Sequence, residues 1–149
     1  LFMIWKRPES FDGRAFNVSS FGVVLSEKRL VVICASNSLL SGLEHDAQMT
    51  GPLDVLMALL AESVHHYLGH LRVVKQIARE IQQQFTRAMD NQQLAQMYNL
   101  SESLVYYVNA IQSNGAVLTL LRNHGQRQHR SVTLNRIDVV HEAFAQVVH

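Results

Sequence analysis

Two histidines four residues apart are the feature of this sequence that most directly suggests chemistry. His66 and His70 would share one face of a helix, with His65 and Glu62 nearby, and imidazole nitrogens at this spacing can chelate Zn²⁺ or Co²⁺. A closed site needs a third ligand from another segment. Because eight of the 149 residues are histidine, such a pair also arises by chance. The sequence therefore favours solvent-exposed helix residues over a metal centre.

The sequence carries none of the usual signatures of catalysis. It has no Gly-x-Ser-x-Gly elbow and no phosphate-binding glycine loop, so we expect no enzyme. A metal-dependent enzyme would need a third ligand beside His66 and His70.

Four arginines lie near the end of the chain: Arg122, Arg127, Arg130 and Arg136. They could contact phosphate, but no aromatic residue is interleaved with them as in single-strand binders, and a solvated loop is favoured.

Composition indicates one ordinary globular domain. With 149 residues, 48% of them hydrophobic, the chain can bury a core that requires no metal, cofactor or disulfide for folding. A net charge of +1 gives no bulk attraction to nucleic acid, so we expect no nucleic-acid partner. The apolar run Val55–Ala61 is far shorter than the roughly 20 residues that span a bilayer. The single cysteine, Cys34, lies in an apolar run and is predicted to be buried.

Hydrophobic patterning divides the chain into strands followed by helices. Residues 1–36 are rich in Val, Ile and aromatic residues, and Ser26–Lys28 reads as a hairpin turn between apolar strands that we expect to be covered on both faces. Residues 37–52 form a connection. Because the chain opens within a strand pattern and stops within a helix pattern, we expect it to be a fragment of a longer protein.

Two helical seams follow the connection. The first contains apolar residues spaced alternately four and three apart: Leu60, Val64, Tyr67, Leu71, Val74, Ala78, Ile81 and Phe85. The second has the same kind of spacing: Leu94, Met97, Ser101, Leu104, Val108, Ile111, Gly115 and Leu118. Seams of matching length joined by a polar turn predict an antiparallel hairpin with coiled-coil packing. Gly115 and Ser101 would allow close helix approach, and Gly69 suggests another close contact.

The predicted fold is α+β: one domain over 1–149, with strands in 1–36, a connection in 37–52, a helical hairpin in 53–121, a polar linker in 122–131 and a further helix in 131–149.

The order of these elements, together with two short motifs, resembles the cytoplasmic domain of CorA-type divalent-cation transporters. The motifs are the stretch Leu100–Val108, which contains Ser-Leu-Val-Tyr, and the Ser113–Asn114 pair that follows it. The resemblance extends over essentially the whole chain. It implies an α/β/α-type domain on the cytoplasmic face of the cell (inner) membrane, in which the last helix begins a stalk. It also implies a homopentamer of copies of the chain, with the membrane crossed by segments absent from this sequence.

The resemblance further implies regulation by cations bound between subunits. Asp138 matches an acidic residue near the start of the stalk helix that contributes to such a site; otherwise it is a solvated acid favoured by the helix dipole. His65, His66 and Ala61 stand where family members carry acids. The resemblance implies Mg²⁺ or Co²⁺ as the ligand. Because Mg²⁺ prefers carboxylate oxygen and imidazole suits softer ions, the histidines at these positions make Zn²⁺ or Co²⁺ a further candidate.

The sequence therefore predicts the soluble regulatory part of a CorA-like Mg²⁺/Co²⁺ transporter, coupling intersubunit cation binding to pore gating. Its candidate metal ligands are Asp138 and, secondarily, His66 and His70. The alternative is a soluble helical-hairpin adaptor that binds a partner helix along one of its seams, without metal or membrane.

Overall fold

Three strands and three helices make up the part of the chain that the computed structural model describes, residues 1–9, 11, 15–35, 49–84, 91–127 and 131–148. The predicted α+β class is confirmed. The elements are β1 (Phe2–Pro8), β2 (Val18–Leu25), β3 (Leu30–Ile33), α1 (Pro52–Gln84), α2 (Asn91–Arg127) and α3 (Ser131–Val148). Most of the predicted connection, residues 36–48, lies outside the described residues, as do Phe85 and the linker residues 128–130.

The sheet is antiparallel in the order β1-β2-β3. Trp5 is opposite Phe21, and Val23 is opposite both Met3 and Val32, so the largest buried side chains of the sheet share one face. The predicted turn between β2 and β3 is confirmed. It is closed by the backbone amide of Ser26, which donates to the carbonyl of Arg29 at 2.8 Å.

Only one face of the sheet is covered within the described residues, because the helices contact that face alone. The opposite face exposes five apolar side chains: Phe2, Ile4, Val24, Val31 and Ile33. The expectation of two covered faces is therefore wrong for this part of the chain. The prediction that Cys34 is buried is also wrong: it follows the end of β3 at the sheet margin and is exposed.

Helix α1 starts with local chemistry that favours a helix N-terminus. Pro52 is its first residue, where the missing N–H costs nothing. The carboxylate of Asp54 accepts hydrogen bonds from the backbone amide (2.9 Å) and the hydroxyl (2.6 Å) of Thr50. Five of the predicted seam residues of α1 are buried, while Ala78 is exposed. The buried five are Leu60, Val64, Tyr67, Val74 and Ile81.

The buried stripe of α2 differs from the predicted seam. Leu94, Ser101 and Val108 are exposed, and the buried residues are Ser103, Tyr107, Ala110, Asn114, Leu118 and Leu121. The stripe is displaced because it contains two polar residues that an apolar pattern does not count. Helix α2 also continues to Arg127, so Arg122 lies in a helix and not in the predicted loop.

Helix α3 packs against both long helices, while α1 and α2 touch each other at few points. The long helices are nonetheless antiparallel: His70 of α1 contacts Tyr107 of α2, whereas Tyr67 and Asn114 both contact Lys6. The close approach predicted at Gly115 is made by α3, since a Cβ there would lie 3.4 Å from the Phe144 ring. The α1–α2 contact is therefore local, and α3 completes the helical layer.

Gly69 makes no close contact, contrary to the sequence prediction, and this gives a stability prediction. A Cβ built there meets nothing within 4 Å, so Gly69→Ala should raise the unfolding free energy by about 0.5–1 kcal/mol through reduced backbone entropy and higher helix propensity. Urea unfolding followed by circular dichroism measures it. Gly115→Ala is the matched control: it should gain less, because its Cβ meets Phe144. Equal gains would contradict the geometry.

Candidate functional site

Asn114 fastens α2 to the first strand. Its side chain is fully buried, and its amide clamps the backbone of Lys6: Oδ1 accepts from Lys6 N at 2.9 Å, and Nδ2 donates to Lys6 O at 2.6 Å. The hydroxyl of Tyr67 donates to the same carbonyl at 3.2 Å. Burial, followed by the charge of Tyr107, raises the pKa of Tyr67, which keeps this hydroxyl protonated as a donor. Helices α1 and α2 thus both bond to the backbone of one strand residue, Lys6.

Two serines make comparable attachments. Ser103 of α2 accepts a hydrogen bond from the backbone amide of Phe16 at 3.0 Å while donating to the Asn99 carbonyl at 2.8 Å. Ser63 of α1 accepts from the indole Nε1–H of Trp5 at 2.8 Å. Within the described residues no buried side-chain nitrogen or oxygen lacks a partner. Ser103 and Asn114 belong to the two sequence motifs, and the structure gives both a role in attaching α2 to residues 6 and 16.

His70 lies in an aromatic cluster between the long helices. Its Nδ1 is 2.6 Å from the Tyr107 hydroxyl, and its ring lies edge-on to Phe16 at a centroid distance of 5.6 Å. Burial, with a smaller effect from His66, lowers the pKa of His70, and burial raises the pKa of Tyr107. The neutral imidazole can therefore accept at Nδ1 a hydrogen bond from the Tyr107 hydroxyl, which links α1 to α2.

This contact predicts a pH dependence. Since the pKa of folded His70 lies below its ordinary value of 6.5, the unfolded chain binds the proton more readily. The contribution of neutral His70 to the free energy of unfolding is complete above pH 6.5. It is lost as the pH falls from there through the pKa of His70 in the folded state. Urea midpoints between pH 8 and pH 5 should fall more for the wild type than for His70→Gln, which retains the other histidines. Parallel profiles would contradict the prediction.

The structure places the two candidate histidine ligands in different environments. Nε2 of His66 lies 3.1 Å from Oε1 of Glu62, both side chains being about half exposed. His70 instead uses Nδ1 for Tyr107. In the described part of the chain, no group of three His, Cys, Asp or Glu side chains is placed to hold a metal ion.

Asp138 forms an ion pair across two helices. Its Oδ1 lies 3.0 Å from Nε of Arg122, near the C-terminal end of α2, with side-chain exposures of 42% and 46%. A carboxylate suits a hard cation such as Mg²⁺, and this one is accessible to a neighbouring molecule. One carboxylate does not make a cation site, so a site at Asp138 requires further ligands. Because Arg122 was predicted to lie in a solvated basic loop, its ion pair with Asp138 was not predicted.

Several exposed apolar residues of α2 lie on the side away from the core. They are Leu94, Tyr98, Val105, Tyr106 and Val108. Four of them, spaced by four, seven and three residues, form a stripe along the helix. None of the helices in the described ranges is long and apolar enough to cross a membrane.

Comparisons by sequence find no matching family model and no matching curated relative. Comparison of structures does find a match. The soluble domain of CorA from Methanocaldococcus jannaschii aligns with a TM-score of 0.85 at 17% identity, over 99% of this chain and 62% of that one. The complete CorA magnesium transporter of the same organism aligns with the same score and identity, over 99% of this chain and 49% of the transporter.

At this identity the likeness concerns the fold. The chain has the fold of the CorA soluble domain, which confirms the predicted resemblance at that level. It spans less than two thirds of the solved soluble domain and about half of the complete transporter. The alignment covers 99% of this chain and therefore includes its three strands and three helices.

Proposed function

We propose that this chain is the regulatory, cytoplasmic part of a CorA-like divalent-cation transporter at the inner face of the cell membrane. The observation that supports the proposal is the fold, shared with a magnesium transporter over nearly the whole chain. The rest of such a transporter, including its membrane segments and pore, would lie outside this sequence. The chain would act without catalysis, by associating with copies of itself in a homopentamer.

In the proposed mechanism, a cation bound between neighbouring copies stabilises the closed arrangement. Mg²⁺ or Co²⁺ would neutralise the Asp138 carboxylate of one copy and acidic groups of the next, and loss of the ion would leave like charges in repulsion. The ion shifts a population only through its different affinity for the two arrangements. The partial exposure of Asp138 supports its availability to a second copy.

Sedimentation equilibrium with and without Mg²⁺, Co²⁺ and Zn²⁺ tests the proposal. The wild type should gain mass with Mg²⁺ or Co²⁺, and Asp138→Asn should abolish the gain. Glu102→Gln, which removes an exposed carboxylate from α2, is the matched control and should behave as the wild type. A mass unaffected by any metal would refute cation sensing by this chain.

Histidine variants separate hard from soft ions. Loss of a Zn²⁺ response in His66→Ala, but not in the exposed control His65→Ala, would move the site to α1, beside Glu62. Retention of the response in both variants would remove His66 from the proposed ligands.

The apolar stripe of α2 supports a second candidate function, an adaptor that binds a partner helix. Leu94, Tyr98, Val105 and Val108 are exposed along this helix. Association that is independent of metal and lost in Val105→Lys would favour the adaptor. Metal-dependent association unaffected by Val105→Lys would favour the transporter.

A further inference from the structure

The ion pair of Asp138 joins two helices whose ends are connected through residues 128–130. Arg122 is near the end of α2, and Asp138 lies in the first half of α3. At 3.0 Å between Nε and Oδ1, the guanidinium is in direct contact with the carboxylate. Both side chains are nearly half exposed, so water can replace either partner and the contact is exchangeable.

A divalent cation and the guanidinium cannot contact the same carboxylate oxygen independently. Mg²⁺ coordinates oxygen at about 2.0–2.1 Å and keeps part of its hydration shell, so coordination at Oδ1 would compete with the Arg122 guanidinium for the space in front of that oxygen. The two cations also repel each other. Arginine keeps its charge at all physiological pH values, so the competition does not depend on arginine titration.

Resting on the proposed function, we infer that Arg122 is an intramolecular counter-ion that competes with divalent cations for the Asp138 carboxylate. Cation binding releases Arg122 from α3, and cation loss restores the α2–α3 contact. Arg122 thereby sets the cation concentration at which Asp138 is occupied. It also couples occupancy to the packing of α3, the helix that contacts both long helices.

Titration of the 149-residue chain with MgCl₂ and CoCl₂, followed by sedimentation and calorimetry, tests this inference. Arg122→Gln should lower the half-maximal cation concentration by about 1.5- to fivefold, the range expected for an exposed ion pair. Arg122→Lys, which keeps the charge, should stay closer to the wild type. Arg79→Gln removes one positive charge from the exposed surface of α1 and serves as the matched control. Adding Asp138→Asn to any of these variants should abolish the response.

The possible outcomes distinguish the inference from the proposed function. A wild-type response that needs Asp138 but is identical in Arg122→Gln overturns only the inference. An Asp138-dependent response in Arg122→Gln, absent from the wild type, supports the inference while refuting sensing by the wild-type chain. Equal shifts in Arg122→Gln and Arg79→Gln overturn the inference in favour of net charge. No response in any variant overturns both. Circular dichroism melting of each variant verifies that it is folded.

Discussion

Trp5→Ala is expected to lower the unfolding free energy by about 3–5 kcal/mol, the range for removal of a fully buried aromatic side chain. Trp5 has no exposed surface, donates to Ser63 at 2.8 Å and lies 6.1 Å from the Phe144 ring. The substitution leaves a cavity where β1, α1 and α3 meet. Urea unfolding measures the loss, and thermal melting should show a decrease of about 2–4 °C for each kcal/mol.

Phe2→Ala is the matched control for Trp5→Ala. Phe2 is an aromatic residue of the same strand whose side chain is 65% exposed on the opposite face, so its removal should cost no more than about 0.5 kcal/mol. Trp5→Phe keeps most of the volume but leaves the Ser63 hydroxyl without its donor, and its cost should be intermediate. Similar losses for Trp5→Ala and Phe2→Ala would contradict the assignment of the buried face.

Asn114→Ala is the second large effect, with an expected loss of about 2–4 kcal/mol. The substitution removes both hydrogen bonds to the Lys6 backbone, and each partly buried group left without a partner carries a desolvation penalty of about 1–3 kcal/mol. The carbonyl of Lys6 retains the Tyr67 hydroxyl, but the amide of Lys6 loses its side-chain acceptor. Urea unfolding, together with hydrogen exchange at Lys6, measures the effect.

Asn109 provides the matched control, being the same residue type, exposed, on the same helix. Asn109→Ala should be neutral or slightly stabilising, because alanine has the higher helix propensity. Tyr67→Phe should cost less than Asn114→Ala, since Nδ2 of Asn114 still donates to the shared carbonyl. Equal effects of the two asparagine variants, or unchanged exchange at Lys6, would show that the clamp does not hold β1.

The buried polar side chains of α2 explain in physical terms why the sequence motifs matter for the fold. Ser103, Tyr107 and Asn114 lie on the buried stripe of α2, and each makes a hydrogen bond outside its own helix. Polar side chains at these positions determine how α2 attaches to the sheet and to α1. Their effects on folding can therefore be measured in this chain without any metal.

Asp138 was identified by resemblance to a family and the histidine pair by its spacing, and the structure adds the partners of all three residues. Asp138 is paired with Arg122, His66 with Glu62, and His70 with Tyr107. The helical spacing correctly predicts that His66 and His70 are close, since the charge of His66 affects the pKa of His70. The spacing of residues along α1 cannot predict the contact between His70 and the Tyr107 hydroxyl, because Tyr107 lies in α2.

The sequence by itself determined the order and type of the elements. Alternating and heptad patterns, the Ser26–Lys28 turn and Pro52 at a helix start are local signals, and each acts within a few residues. The buried face of α1 also follows from its pattern, because five seam residues are apolar and buried.

Only the tertiary structure decided which faces of α2 and of the sheet are buried. Apolar periodicity favours a stripe through Leu94 and Val108, but the buried stripe includes Ser103 and Asn114. These polar side chains are buried because backbone groups 87 and 108 residues away satisfy them. Likewise, the apolar strands predicted two covered faces, although α1 and α2 reach only one. Whether a side chain is buried depends on the residues that the whole fold brings next to it. A local sequence pattern cannot predict those residues when they lie far away along the chain.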